Sequence, residues 1–396
     1  MALISESTDV VRSPSPVQPP KRLLFGPGPT QVDARVYKAM AKPVVGHLDP
    51  YFFTVFEEVH QMLKVVFGTQ NAVTFPVSGT GSSGMETAVA NFVEPGTKVA
   101  VFANGYFCDR ITEMARRQGG EVVRFEKPWG EVFGDAEASE FIQRERPQVV
   151  AYVTAETSTG AFQPGKAICA AAHAVGAVVI ADCVTSLGAM PVDVDETGID
   201  IAYSCSQKGL SCPPGLAPIT VGPRAWERLK SRKTKVQSWY LDLNLLNEYY
   251  FETPHKYHHT ASASLLYAIH EALSLIQEES AEKRYARHYQ AHLAFVKGIE
   301  ALGLHMHVAE GKRIWNLNTP CVPEGTNDAN VRKILLEEQG IEIAGGFGPL
   351  AGKVFRIGTM GPLATAANVR SFLRHFANAL KVSGYQKPKA AAKAAR

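Results

Sequence analysis

The sequence predicts an α/β protein with a large domain built on a mostly parallel sheet and a smaller C-terminal α+β domain. Three observations carry this prediction. Short apolar runs alternate with helical stretches between about residues 74 and 222, several of these runs are apolar at consecutive positions, and amphipathic helix follows Tyr257. Alternating strands and helices are typical of parallel sheets with crossover helices, and continuous apolar runs are typical of strands covered on both faces.

The elements follow in chain order. The predicted strands of the large domain are Val73–Val77, Lys98–Phe102, Val149–Val153, Val178–Ala181, Ile199–Ser204 and Pro218–Val221. A long amphipathic helix is then predicted from the helical spacing of apolar residues, and it is expected to extend to Tyr285; the residues are Leu265, Leu266, Ile269, Leu273 and Ile276. The rest mixes two helices, Asn330–Glu338 and Asn368–Leu380, with short strands near Trp315–Leu317, Ile341–Ala344 and Val354–Ile357.

The chain length favours two domains, because 396 residues exceed what one hydrophobic core usually supports. We expect a flexible N-terminal arm over residues 1–22 and a large domain over residues 23–280. A small domain over residues 281–385 and a basic tail over residues 386–396 complete the prediction.

The composition excludes several classes of protein. With 45% hydrophobic residues, 20% charged residues and a net charge of +3, the chain is expected to be soluble, with no nucleic-acid partner. No apolar run approaches the roughly 18 residues that cross a bilayer. The six cysteines form no C-x-x-C pair, and the chain does not end in Ser-Lys-Leu. A reducing, cytoplasmic location is therefore expected.

A glycine-rich run, Gly79-Thr80-Gly81-Ser82-Ser83-Gly84, follows a predicted strand and opens a predicted helix. Backbone amides and the helix dipole at such a turn suit a phosphate group. The run also matches the G-x-G-x-x-G pattern of dinucleotide sites, with Glu94 and Asp109 as candidates for the ribose acid. Taken alone, the run also fits a turn that binds no ligand.

Two further residues discriminate between these interpretations. Asp182 follows the strand Val178–Ala181, and Lys208 follows the next strand, so both are expected at the carboxyl edge of the sheet where ligands bind. A nicotinamide enzyme has no particular need for this pair. A pyridoxal-phosphate enzyme needs both, a lysine that bonds to the cofactor and a carboxylate that pairs with the pyridine nitrogen.

These residues also resemble a known family. Asp182, the segment Ser206-Gln207-Lys208-Gly209-Leu210 and the following Pro213-Pro214-Gly215 resemble the class V, fold-type I aminotransferases. Within that family the chain is most similar to alanine–glyoxylate and serine–glyoxylate or serine–pyruvate aminotransferases. The similarity extends from about Lys21 to Val382, and further motifs lie at residues 26–30, 78–81, 104–105, 156–160, 257–260 and 352–358.

The resemblance implies a function. It predicts a homodimer with shared active sites that uses pyridoxal 5'-phosphate to move an amino group from alanine or serine to glyoxylate or pyruvate, in a ping-pong mechanism. Lys208 and Asp182 are the implied catalytic residues. The implied cofactor-binding residues are Thr80, Gly81, Ser82, Phe107, Thr157, Asp182, Gln207, Lys208, Tyr257 and Thr260, with Tyr257 and Thr260 reaching the phosphate from the partner subunit. The implied substrate-binding residues are Arg356, Gly28, Gly46 and His47.

Alternatives stay open at this point. A hydroxykynurenine transaminase or a cysteine desulfurase-like lyase would share the fold; the lyase needs a reactive cysteine, for which Cys321 is the candidate in the C-terminal part. A nicotinamide dehydrogenase built on Gly79–Gly84 and a non-catalytic cofactor-binding protein are the rivals from other classes. His258-His259 and His305-x-His307 lack a third and fourth ligand at suitable spacing, so no metal site is predicted.

Overall fold

The computed structural model describes residues 16–387. Most of the predicted N-terminal arm, residues 1–15, and residues 388–396 of the predicted basic tail lie outside the described residues. Within residues 16–387, no helix combines the length and the apolar character needed to span a membrane.

The strands and helices are numbered here in chain order. The strands are β1 (Leu23–Leu24), β2 (Val73–Ser78), β3 (Lys98–Ala103), β4 (Glu121–Glu126), β5 (Val149–Val153), β6 (Ala155–Glu156), β7 (Ala161–Phe162), β8 (Val178–Asp182), β9 (Ile201–Tyr203), β10 (Leu216–Val221), β11 (Leu317–Asn318), β12 (Ile341–Glu342), β13 (Ala344–Gly345) and β14 (Phe355–Gly358). The α-helices are α1 (Ala34–Met40), α2 (Pro50–Phe67), α3 (Gly81–Phe92), α4 (Tyr106–Arg117), α5 (Asp135–Glu145), α6 (Lys166–Ala174), α7 (Val194–Thr197), α8 (Pro223–Lys230), α9 (Leu243–Tyr250), α10 (Ala263–Glu279), α11 (Ala281–Ala301), α12 (Asp328–Gln339) and α13 (Ala366–Val382). Short 3₁₀ helices span Gly348–Leu350 and Gly361–Leu363.

The central sheet has seven strands in the order β2-β10-β9-β8-β5-β3-β4. Strand β10 runs antiparallel to both of its neighbours, and the other strand pairs are parallel. The prediction of an α/β fold with a mostly parallel sheet is confirmed. Strands β2, β8 and β9 end at one edge of the sheet, which gathers Gly79, Asp182 and the segment before Lys208 there.

The hydrophobic core forms one large and one smaller main cluster. The large cluster surrounds the central sheet and takes buried residues from Val36 to Ile276. The second takes its residues from Ala291 to Leu380, together with Phe25 near the start of the described chain. The sequence places Phe25 in the large domain, whereas the structure packs it against Phe372 of the second cluster, with ring centres 4.8 Å apart. The division into domains at residue 280 stays a prediction.

The structure adds one strand that was not predicted and shortens one predicted helix. Strand β4 was not predicted, because it is an edge strand that pairs only with β3 and its charged, half-exposed residues lack the continuous apolar pattern of the inner strands. The long helix expected to extend to Tyr285 ends at Glu279, and α11 starts after Ser280, which has a φ of +66°. The backbone of Ser280 turns there, and its side chain caps the new helix by accepting a hydrogen bond from the Lys283 amide.

Candidate active site

A cavity of about 300 Å³ lies at the carboxyl edge of the central sheet, a size suited to a small ligand or cofactor. It brings together residues from the segment before α1, the start of α3, the first turns of α4 and the segments after β8 and β9. The sequence predicted Gly28, Thr80, Gly81, Ser82, Phe107, Asp182, Gln207 and Lys208 among its lining residues. Pro29, Met85, Arg110, Val184 and Pro214 also line it and were not predicted.

The start of α3 supplies anion-binding groups to this cavity. Thr80 is the N-cap residue, and its side chain makes no capping hydrogen bond. The first amides of the helix, those of Gly81 and Ser82, have no intrahelical acceptor, so they are open to a ligand. Arg110 Nη1 donates to the Ser82 hydroxyl at 2.9 Å, which adds a positive charge beside these amides. Together these groups favour a phosphate.

Asp182 is held in a fixed orientation at the end of β8. Its Oδ1 accepts from the Val184 amide at 2.9 Å, and its Oδ2 accepts from the Tyr203 hydroxyl at 2.9 Å. Burial raises the pKa of Asp182 to about 6, while these hydrogen bonds and the charges of Lys208 and Arg110 oppose the rise. A further cation facing Asp182 would lower its pKa and so favour the ionised carboxylate.

Lys208 carries a buried amine. Its Nζ donates to the carbonyl oxygen of Pro27, and burial lowers its pKa, with the positive charge of Arg356 acting in the same direction. A lowered pKa increases the fraction of neutral amine, which is the nucleophilic form. Gly28 lies directly over this side chain, because a Cβ there would come within 2.7 Å of Lys208 Cδ and Cε.

The amide of Gln207 has an unused hydrogen-bonding atom. Its Oε1 is buried and has no partner among residues 16–387, which is costly unless a ligand supplies one. Side-chain amide oxygen and nitrogen are assigned from their partners, so either atom of this amide can serve a ligand in the cavity.

Phe107 is positioned by a buried carboxylate that the sequence analysis did not single out. Glu156 Oε2 accepts from the Phe107 amide at 3.0 Å, and Oε1 accepts from the amide and hydroxyl of Ser158 at 2.9 and 2.6 Å. Burial raises the pKa of Glu156 to about 7, against the effect of these donors. The guanidinium of Arg110 lies 5.0 Å from the Phe107 ring centre. Arg110 could have been found from its position one helical turn after Phe107.

Arg356 is a half-buried cation that has no carboxylate partner among the described residues. Its Nε donates to the Gly345 carbonyl oxygen at 2.8 Å, and both terminal nitrogens are unpaired in that part of the chain. The Phe347 ring covers one face of the guanidinium, 4.3 Å from its carbon to the ring centre. Burial lowers the pKa of Arg356 to about 10. A desolvated guanidinium with free terminal nitrogens is suited to a carboxylate ligand.

Arg356 and the remaining predicted site residues do not line the cavity of this single chain. Thr157 is buried in the turn after β6, beside Glu156. Tyr257 is 63% exposed, Thr260 and Gly46 are also exposed, and the His47 ring lies 5.1 Å from that of Tyr257. The loop with Tyr257 and Thr260 is attached to the end of β2, because His259 Nε2 and Ser78 Oγ are 2.8 Å apart.

The family is decided by comparison with known sequences. The sequence model of the family described as aminotransferase class-V matches residues 22–374. The chain belongs to the class V aminotransferase family.

Relatives of this class V aminotransferase share most of its length. Alanine–glyoxylate aminotransferase of Drosophila melanogaster is 36% identical over 372 residues, which cover 93% of this chain and 94% of the relative. The (S)-ureidoglycine–glyoxylate transaminase of Bacillus subtilis is 38% identical and covers 88% of each chain. The crystal structure of alanine–glyoxylate aminotransferase from Nostoc sp. has a TM-score of 0.93 and 42% identity, over 95% of this chain and all of that one. These findings confirm the predicted family, fold type and transaminase activity.

The alternatives left open by the sequence have separate outcomes in this class V aminotransferase. The dehydrogenase alternative is wrong, and its candidate ribose acids are engaged elsewhere: Asp109 pairs with Arg124 at 2.7 Å and Glu94 accepts from Thr234 at 2.9 Å. The desulfurase candidate Cys321 does not line the cavity. Among residues 16–387, no cluster of His, Cys, Asp and Glu side chains could hold a metal ion. The cytoplasmic location stays a prediction.

Proposed function

We propose that this class V aminotransferase uses pyridoxal 5'-phosphate to transfer the amino group of a small amino acid, alanine or serine, to glyoxylate or pyruvate in a ping-pong mechanism. One observation carries the proposal. A buried lysine amine, a buried carboxylate and the open amides of a helix N-terminus line one cavity, and the charge of the unpaired Arg356 acts on that lysine.

The residues present fit pyridoxal phosphate. The amides of Gly81 and Ser82 with Arg110 would hold the phosphate, and the unpartnered amide of Gln207 would complete its hydrogen bonds. Asp182 would pair with the ring nitrogen, and the Phe107 ring would stack on the pyridine. When bound, the cofactor supplies an electron sink for the pair released as the substrate loses its α-hydrogen.

Lys208 is proposed to have two roles. Its neutral amine, favoured by burial, would form the covalent attachment to the cofactor. When a substrate amino group takes its place, the freed amine of Lys208 would act as the base that removes the proton from the substrate α-carbon and would hold that proton for its return. With the cofactor bound, Asp182 would be ionised and would favour the protonated form of the ring nitrogen.

Arg356 is proposed to bind the carboxylate of both substrates. The donor amino acid and the acceptor oxo acid each carry this group at the same distance from the reacting carbon. One cation then serves both halves of a ping-pong cycle, in which the first product leaves before the second substrate enters.

The relatives support glyoxylate as acceptor and leave the donor to experiment. The names of the Drosophila and Bacillus proteins both contain glyoxylate, whereas their donors are alanine and (S)-ureidoglycine. A matrix of alanine, serine, (S)-ureidoglycine and hydroxykynurenine against glyoxylate and pyruvate tests the proposal. Failure of protein loaded with pyridoxal phosphate to turn over alanine or serine with either acceptor would refute it.

Replacing Arg356 with lysine tests the carboxylate site. An ammonium keeps the charge but cannot form the two parallel hydrogen bonds of a guanidinium. We expect KM for the donor and for the acceptor each to rise at least about tenfold, equivalent to about 1.4 kcal/mol, with cofactor absorbance unchanged.

Steady-state kinetics with each substrate varied in turn measures the effect of Arg356→Lys. Arg332→Lys is the matched control, since Arg332 already has a carboxylate partner in Asp328 at 3.0 Å. A rise in KM for the donor alone would show that Arg356 does not bind the carboxylate of both substrates.

We further propose a homodimer in which the loop bearing Tyr257 and Thr260 reaches the partner's cofactor phosphate. Several large apolar side chains are exposed along residues 44–51 and 239–257, including Val44 at 70% and Trp239 at 60%. The two segments are adjacent, because the Tyr249 hydroxyl donates to the His47 carbonyl oxygen at 3.0 Å. Exposed apolar surface of this kind marks interfaces.

Tyr257→Phe and Thr260→Val are expected to weaken pyridoxal-phosphate binding, although neither residue lines the cavity of its own chain. Each loses a hydrogen bond to a charged group, about 1.5–3 kcal/mol, or roughly tenfold to a hundredfold in Kd. Equilibrium titration of cofactor-free protein measures this Kd. Tyr37→Phe removes a hydroxyl from another exposed tyrosine, which is 56% exposed and lies outside both segments, and serves as control. Wild-type affinity in both variants would contradict the shared site.

A further inference from the structure

A second cavity of about 420 Å³ lies between α11 and the turn at residues 309–313. It shares no lining residue with the candidate active site. Its walls are mostly apolar and aromatic, and they include Phe162, Met190, Tyr289, Leu293, Val296 and Trp315. Apolar walls with a few polar groups are the usual make-up of small-molecule sites.

One polar group faces this cavity from a buried position. His292 is only 6% exposed, and its Nδ1 lies 2.8 Å from Asn318 Oδ1. The Asn318 amide nitrogen donates to the Thr359 hydroxyl at 3.1 Å, which assigns Oδ1 as the acceptor and places the ring hydrogen of His292 on Nδ1. Burial lowers the pKa of His292, which favours this neutral form.

The other ring nitrogen, Nε2, is therefore a hydrogen-bond acceptor. It has no partner among residues 16–387, and His292 lines the cavity. Because Nε2 is not among the fully buried polar atoms, it is open to the cavity and can accept a hydrogen bond from a ligand. A ligand that fits this cavity should therefore place an N–H or O–H group at its inner end.

Opposite charges lie in the turn that borders the cavity. Glu310 and Arg313 both line it, and neither forms a salt bridge within the described part of the chain. Arg313 uses Nε to bond the Val308 carbonyl oxygen at 2.7 Å, which leaves its terminal nitrogens available. A carboxylate and an ammonium on one small molecule would complement this pair.

We propose that this cavity binds a free aromatic amino acid whose ring carries a hydrogen-bond donor, tryptophan or tyrosine. Its carboxylate pairs with Arg313, its ammonium with Glu310, and its ring N–H or O–H donates to His292 Nε2. The ring itself packs among the apolar walls. The proposal is independent of the chemistry assigned to Lys208.

Equilibrium dialysis of the full-length protein against radiolabelled L-tryptophan, without any oxo acid, tests the site. Arg313→Gln is expected to weaken binding at least about tenfold, as removal of a carboxylate's charged partner does. Lys312→Gln is the matched control, because Lys312 is an exposed neighbouring cation that does not line the cavity. Binding by Arg356→Lys should equal that of the wild type.

Ligand preference tests the role of His292. L-Phenylalanine has the same backbone and an apolar ring but no ring donor, so it should bind roughly three- to tenfold more weakly than tyrosine. His292→Leu should remove this difference. The comparison on wild-type protein stands on its own if that variant does not fold.

Three results would overturn the proposal. One is the absence of tryptophan and tyrosine binding at millimolar concentration. Another is loss of tryptophan binding in Arg356→Lys with retention in Arg313→Gln, which would place the ligand at the active site. The third is equal affinity of the wild type for phenylalanine and tyrosine, which would remove His292 from the site.

Discussion

Replacing Lys208 with alanine is expected to abolish transamination. The variant loses both the covalent attachment point and the base, and loss of a general base alone costs about 10²–10⁴-fold in rate. The fold should survive, because the amine forms a single hydrogen bond within residues 16–387, to the Pro27 carbonyl oxygen. An end-point assay of alanine–glyoxylate turnover measures the loss of transamination. The visible absorbance of the protein-bound cofactor measures the loss of the covalent attachment.

The control for Lys208→Ala is another partly buried lysine. Lys98 pairs with Glu145 at 3.1 Å and does not line the cavity. Lys98→Ala should keep wild-type activity and absorbance, with circular dichroism used to compare the fold of all three proteins. Full transamination by Lys208→Ala would refute the assignment of the catalytic lysine.

Asp182→Asn is expected to retain cofactor but to lose most of the rate. A neutral amide cannot hold the ring nitrogen protonated, and a hydrogen bond to a charged group contributes about 1.5–3 kcal/mol, or roughly 10–100-fold in rate. Turnover at saturating cofactor is the measurement. A wild-type rate would mean that the ring nitrogen has another partner.

The pH dependence of Asp182 gives a second measurement with a definite sign. Its pKa is raised to about 6 in the cofactor-free protein, above its value of 3.8 in a solvated side chain. The stability that Asp182 contributes is therefore present at low pH and is lost as pH rises through about 6. Activity has the opposite trend, because only the ionised carboxylate serves the cofactor.

Because of Asp182, the cofactor-free protein should be less stable above pH 6 than at pH 4–5. Thermal unfolding at a series of pH values measures this difference. Asp182→Asn should reduce that pH dependence, since the amide does not titrate. Glu156 contributes in the same direction with a pKa of about 7, so the slope should be reduced and not removed. An unchanged slope would show that Asp182 is ionised throughout this range.

The residues proposed to carry chemistry could be selected from the sequence because their types and order are unusual. Lys208, Asp182 and the run Gly79–Gly84 each follow a buried strand, so the topology of a parallel sheet places them at one edge. The structure brings all of them to the same cavity. Arg356 could be assigned only through the resemblance, since a lone arginine on a short strand has many structural roles.

The supporting residues could not be predicted, because their roles depend on contacts between distant parts of the chain. Arg284 is one example: it is 5% exposed and donates to the Gly188 and Gly209 carbonyl oxygens, each at 2.7 Å. It thereby holds the backbone next to Lys208 from a helix more than seventy residues away. In sequence it is an arginine of an amphipathic helix, and nothing marks it as buried.

The start of the described chain gives the fold a particular order of assembly. Strand β1 pairs with β12, Phe25 accepts from the Gly358 amide at 2.7 Å, and the next residues, Pro27 and Gly28, cover Lys208. During synthesis the segment over the lysine leaves the ribosome first, yet its pairing partners are made more than 300 residues later. Contacts of such long sequence separation form late. A ribosome-bound nascent chain can thus build the central sheet while Lys208 still lacks its cover, and the candidate site closes only after the segment up to Gly358 has been made.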